Sequence, residues 1–308
     1  MSAIAGLTSC DWALVARLIN NIFIKRVTLN MSEDMYWQLC LKIIFFLFPC
    51  TLIGHELWID TTDFRVEKDT EINLNLRNGE NFDGFSLGYF DRSVEKLYWR
   101  QNENQFNNTS RQGDIPALKI APDENGLVTA VYVSKPSIIK YKEFKKFKNF
   151  AIAKHSQRAI DFHLNSNFPK ENFSEIYTRY SKALLGIGGA EGSDKANDLE
   201  LELIALQNPY TDDISSGIEI LTLYQGRPQA FTTLNVFERS NADLRVNSYV
   251  VKSDEKGIAK VKVENDNAYL IDNVILRPAN DKLLKDKGVI WESLWAALTF
   301  GVIRANGL

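Results

Sequence analysis

Three histidines are the residues of this chain best suited to hold a ligand. His55 stands in Gly54-His55-Glu56-Leu57-Trp58-Ile59, at the end of an apolar run. If the chain is cut after Gly54, His55 presents a free α-amine and an imidazole side by side. Two such nitrogens can chelate one Cu(II) or Ni(II), the ions that favour nitrogen-rich tetragonal geometry. His155 and His163 are the other two, eight residues apart. On a straight helix that spacing is about 12 Å along the axis, so one ion cannot take both. Either can join His55 from another element, with Asp161 or Glu56 adding oxygen. The competing reading is plainer. The motif marks the cleavage site and the first strand, and His155 and His163 are solvated positions on an amphipathic helix.

The types and spacings that would indicate catalysis are missing. His55-Glu56 does not open a zinc-protease motif, because Ile59 stands where the second histidine belongs. There is no G-x-S-x-G nucleophile motif, and no cysteine follows Cys50. Asp60, Asp63, Glu71, Glu80 and Asp83 form no pair marked out by spacing. Trp291 and Trp295 can form a sugar-stacking platform. The alternation Leu294, Ala296, Leu298, Phe300 places them on the other face of a core strand, where packing is the favoured role. Gly186-Ile187-Gly188-Gly189-Ala190-Glu191-Gly192 is expected to follow a helix rather than a strand, so it reads as a connector and not as a phosphate loop. The reading is of a protein that is not an enzyme, with no small-molecule substrate indicated.

The elements that must position these residues begin with an export signal. Lys42 precedes Ile43-Ile44-Phe45-Phe46-Leu47-Phe48, a run as long as a signal-peptide core and too short to span a bilayer. Gly54 is small enough for the last position before the cut. A lipoprotein reading ranks second, since Pro49 precedes Cys50. Residues 1–30 read as an extension ahead of a start at Met31 or Met35, and 31–54 as the signal peptide. Cys10, Cys40 and Cys50 all precede the cut, so the mature chain has no disulfide framework and no thiolate metal site. The formal charge of −3 offers no footprint for nucleic acid. The lysine cluster at Lys140, Lys142, Lys145, Lys146 and Lys148 is spaced as the solvated face of a helix whose other face carries Phe144, Phe147 and Phe150.

The mature chain reads as mainly β. Thr70 to Arg77 alternates with period two and ends at Asn78-Gly79; Leu127 to Val133 follows the turn Asn125-Gly126. From Glu143 to Leu185 the period turns helical, with one helix carrying Ala151, Ala159 and Phe162 and a second from Ser174 to Leu185. After Asp198 short strands return to the end of the chain. The expected architecture is two immunoglobulin/transthyretin-like β-sandwich modules, residues 55–140 and 196–308, with a helical insert at 141–195 between them.

Four stretches carry a family resemblance: Gly54 to Ile59 with the strand to Arg77, Tyr177 to Leu185 with its glycines, Leu201-Glu202-Leu203 with Asn208-Pro209-Tyr210, and Trp291 to Phe300. In their order and spacing the chain resembles a bacterial periplasmic domain-of-unknown-function family often labelled a nickel or cobalt uptake component. Gly54 departs from the alanine that often precedes the histidine there. The resemblance implies a periplasmic protein that binds or delivers a divalent transition metal, Ni, Co or Cu, with a membrane metal transporter or a TonB-type receptor system as partner. The alternative is an envelope module that recognises a glycan or a protein without metal; a copper-dependent oxidative enzyme is a distant third.

Overall fold

The computed structural model describes residues 55–302, and the expected extension and signal peptide lie outside the described residues. Within these the protein is mainly β, with several sheets, three helices and no barrel. Strands are numbered in chain order. The largest sheet has ten strands. From edge to edge run β15 (Val246–Lys252), β14 (Thr233–Ser240), β17 (Asn267–Pro278), β18 (Trp291–Val302), β10 (Phe173–Ile187), β8 (Gly126–Ser134), β5 (Val94–Gln101) and β6 (Asn104–Asn107). Short β2 (Arg65–Val66) and β9 (Ser137–Tyr141) also pair with β10. One small sheet holds β1 (Glu56–Asp60), β3 (Ile72–Glu80), β4 (Asp83–Leu87) and β7 (Leu118–Ile120). Another holds β11 (Leu201–Ala205), β12 (Ile218–Tyr224), β13 (Arg227–Pro228) and β16 (Ile258–Val261). The helices are α1 (Phe144–Ala153), α2 (Gln157–Asn165) and α3 (Asp281–Lys287).

The alternation of side chains assigns the layers. On β8, Val128, Ala130 and Tyr132 join Leu57, Ile59, Leu74 and Leu185 in one core. Leu127, Val131 and Val133 point the other way and join Leu184, Leu201, Leu203 and Ile220 in a second. The large sheet is therefore covered on one face by β1 and β3 and on the other by β11 and β12. A third core seats α1 and α2: Phe147, Phe150 and Ala159 pack against Tyr141, Phe173, Trp291 and Trp295.

The expected second helix, Ser174 to Leu185, is instead the long strand β10. Its apolar residues fit a helical template because every residue from Tyr180 to Ile187 is buried. A strand covered on both faces gives a continuous apolar run and loses its period of two. The helical stretch of the chain thus ends with α2, and the Gly186–Gly192 connector follows a strand. The connector still opens no helix, since Gly192 to Leu199 is irregular. Nor does Asn78-Gly79 end β3, which continues to Glu80 before Asn81 and Phe82 turn with positive φ. Added at Gly79, a Cβ would lie 2.0 Å from the Asp83 carbonyl oxygen, so the close crossing of β3 and β4 requires glycine there.

Strand β10 pairs parallel with β18 on one edge and antiparallel with β8 and β9 on the other. Between β8 and β9 sits Pro136, which has no N–H to donate to a ladder. At this break the Arg179 N–H donates to Ser134 Oγ at 2.9 Å. The strand also carries a buried acid. Glu175 accepts from Tyr141 Oη at 2.9 Å and from Ser293 Oγ. Burial pushes its carboxyl up to about 7, against the lowering effect of those two hydroxyls.

A carboxyl raised on folding binds its proton more tightly in the folded than in the unfolded state. Its contribution is therefore present below the ordinary carboxylate range and is lost as pH rises through about 7. Glu175→Gln stays neutral and escapes that loss. Its stability relative to the native protein should improve between about pH 5 and pH 8, by up to about 3 kcal/mol. Urea unfolding at several pH values measures this, and a difference that does not vary with pH would refute it.

Candidate functional site

Glu56 opens β1, and His55 directly precedes it. Glu56 registers with Gly79 of β3, and the His55 carbonyl accepts from Arg179 Nη2 at 2.9 Å. The His55 side chain is 44% exposed. Its Nδ1 lies 3.4 Å from Asn78 Nδ2, and its Nε2 lies 3.4 Å from Glu80 Oε1. Both contacts are long, so neither ring nitrogen is held by a strong hydrogen bond.

The next residue enters a buried charge cluster. Lys154, directly after α1, places Nζ 2.6 Å from Glu56 Oε1 and 2.9 Å from Asp272 Oδ2. The same ammonium sits 4.7 Å from the ring centre of Trp295, with the Arg179 guanidinium 5.7 Å from that ring. Asp272 Oδ2 also accepts from Asn235 Nδ2 at 3.2 Å. Burial alone would lower Lys154, but Asp272 and Glu56 outweigh it and hold the lysine above its ordinary range. Burial pushes Glu56 up, with the charge of Asp272 adding to it and Lys154 opposing. Glu56 Oε2 is buried without a hydrogen-bond partner. Held by one oxygen of each of two carboxylates, Lys154 acts as a clamp. It ties the start of β1 and the end of α1 to β17.

The chain breaks between α1 and α2 at His155, whose φ is 56°. This break removes the straight helix on which the two histidines were spaced. The exposed His155 ring places Nε2 3.0 Å from Asn235 Oδ1, so it touches the outer end of the Asp272 network. His163 is fully buried among Phe144, Phe147, Phe173 and Trp291. Trp291 Nε1 can only donate, and it does so to His163 Nδ1 at 3.0 Å. His163 Nε2 therefore carries the proton and donates to the Pro169 carbonyl at 3.0 Å. Burial lowers its basicity. Both nitrogens are engaged, so the expected solvated position or metal ligand is a neutral hydrogen-bond bridge inside an aromatic core. Asp161 is exposed and accepts from Gln157. Among the described residues no group of three or more His, Cys, Asp and Glu side chains is arranged to hold a metal. Trp291 and Trp295 are both buried packing residues, Trp295 stacking on Phe150 at 5.4 Å.

Sequence reasoning missed Lys154 and Asp272. They lie 98 residues from Glu56 and 118 from Lys154, respectively, and no local spacing connects them. The one available signal was a lysine directly after an apolar helix face, in a stretch where lysines are expected to be solvated.

A family model described as Domain of unknown function (DUF4198) matches residues 52–275. No curated protein matches the chain.

Removing the lysine should expose the cost of the cluster. Lys154→Met leaves two buried carboxylates without their cation, which should destabilise by about 3–5 kcal/mol. Chemical denaturation of variant and native protein checks this. A loss under about 1 kcal/mol would mean that the cluster is solvated like a surface pair.

Proposed function

The chain belongs to the family described as Domain of unknown function (DUF4198), and from that membership and the exposed His55 we propose an exported periplasmic protein that binds or delivers a divalent transition metal, Ni, Co or Cu. It is not an enzyme on this reading. Its partner is a membrane metal transporter or a TonB-type receptor system. Each small sheet and the part of the large sheet it covers form an immunoglobulin- or transthyretin-like sandwich, with α1 and α2 as the insert.

The observation that carries the metal reading is the state of the His55 ring. It is the one histidine whose two nitrogens make only long contacts, while its backbone is fixed by Arg179. With the chain cut after Gly54, the α-amine and imidazole of His55 supply the primary ligands. Glu80, already beside Nε2, supplies a carboxylate. His155 is committed to Asn235 through one nitrogen only; His163 has no nitrogen to give. The donor set suits a nitrogen-preferring ion. Such ligands bind only when deprotonated, so affinity falls on acidification.

The second reading, an envelope module for a glycan or protein partner without metal, draws on an open cleft of about 850 Å³. Polar side chains line it, among them Asp60, Asn75, Arg77, Asn81 and Arg239.

Calorimetry with Cu(II) and Ni(II) separates the two. The mature protein should bind one ion; His55→Ala and a form with residues retained ahead of His55 should bind at least tenfold more weakly. The retained residues turn the amine into an amide. Equal affinity in all three forms removes His55 from the site, and no binding in any form leaves the glycan or protein module.

A further inference from the structure

A second buried lysine differs from Lys154 in how it meets its acids. Lys182 of β10 lies on the face opposite Glu175 and Arg179, under the sheet that contains β11. Its Nζ is 2.8 Å from Asp194 Oδ1, 3.0 Å from Asp194 Oδ2 and 3.0 Å from Glu202 Oε1. All three side chains are at most 2% exposed. Lys154 meets one oxygen of each of its carboxylates. Lys182 meets both oxygens of one carboxyl almost equally, so Nζ lies close to the plane that bisects them and contains their shared carbon. With Nζ 2.8 and 3.0 Å from the two oxygens, the carbon that joins them lies within the reach of a near-attack contact, about 3–3.5 Å.

The two oxygens of Asp194 are not equivalent. Oδ2 accepts the Ala205 backbone N–H at 3.0 Å, whereas Oδ1 makes no hydrogen bond despite its closeness to Nζ. Backbone N–H groups from Asn197, at 2.9 and 3.0 Å, fix the Glu202 carboxylate. Burial pushes the Asp194 carboxyl up, toward the neutral acid that an amine can attack.

We propose that Lys182 and Asp194 condense into a side-chain amide, with Glu202 carrying the protons. The ammonium passes one proton through Glu202 to Oδ1, which makes Asp194 the neutral acid, and the freed amine Nζ attacks Cγ. Negative charge developing on Oδ2 is held by the Ala205 N–H, as in an oxyanion hole. The Cγ–Oδ1 bond breaks as Glu202 takes a second proton from Nζ and passes it to Oδ1. Of the three ammonium hydrogens one stays on the amide and two leave with Oδ1 as water, so no other reactant is needed. The product replaces a buried ion pair by a neutral group, which removes a desolvation cost. Exclusion of water from the site opposes the reverse reaction.

The test is the intact mass of the mature, folded protein under denaturing conditions, followed by peptide mapping. The native chain should be lighter than its sequence by one water and should yield one branched peptide joining Lys182 to Asp194. Glu202→Gln should keep the full mass and release the two peptides separately. Asp194→Asn should form the same branched peptide by losing ammonia. A native chain of full mass, with Lys182 and Asp194 recovered in separate peptides after prolonged incubation, overturns the proposal. So does a water loss that maps elsewhere, such as a cyclic imide at Asp194 with Lys182 free. None of these readings depends on metal binding.

Discussion

The strand Phe173–Ile187 has neither a free edge nor, along most of its length, a free face. A strand in that position must bury whatever it carries. It carries Glu175, Arg179 and Lys182, and each has had to find a partner inside the protein. Glu175 meets the hydroxyls of Tyr141 and Ser293, Arg179 meets the His55 carbonyl, and Lys182 meets Asp194 and Glu202. These partners lie on β9, β11, β18, the residue just before β1 and the connector after Ile187. The polar contacts of one strand thus fix where the neighbouring layers sit. An apolar strand would tolerate a shifted neighbour; a buried charge would not, since a lost partner leaves it uncompensated.

The two lysine clusters lie on opposite sides of the large sheet and differ in kind. At Lys154 the cation is held by two acids from distant strands and by the ring of Trp295, which favours the charged form. At Lys182 the acids are local, on the connector and on β11, and one of them meets the amine with both of its oxygens. His55 is linked to the first cluster only through its own backbone and its neighbour Glu56. Its ring stays outside, half-exposed, on a main chain that the cluster keeps rigid. A ligand taken up there would meet a fixed anchor and an adaptable side chain.

Much of the fold was legible in the residues. Asn125-Gly126 and the alternation from Leu127 to Val133 mark β8, and Leu294 to Phe300 marks β18 with the tryptophans on its second face. The amphipathic spacing of Phe144, Phe147 and Phe150 marks α1. What failed was the stretch from Ser174 to Leu185, because burial on two faces erases the alternation on which strand recognition depends. The same burial hid the chemistry. Lys182 falls inside that stretch, and nothing local joins it to Asp194 or Glu202, which lie 12 and 20 residues on. His163 appeared solvated on an amphipathic face, and only the rings of Phe144 and Trp291 from other segments show it to be core. His55 stood out because its setting is local, in the sequence before and after it.

The parallel ladder between β10 and β18 joins residues more than a hundred positions apart in the chain, Glu175 with Trp291 and Ala183 with Thr299. Strand β17 pairs with β18 along its whole length. Contacts of such high sequence separation form slowly, since a long loop must close before they offset its entropy. Until Trp291–Val302 is available, β10 and β17 each keep an unpaired edge, and the buried charges of β10 lack their cover. A chain truncated before Trp291 would therefore expose two long sticky edges to its neighbours.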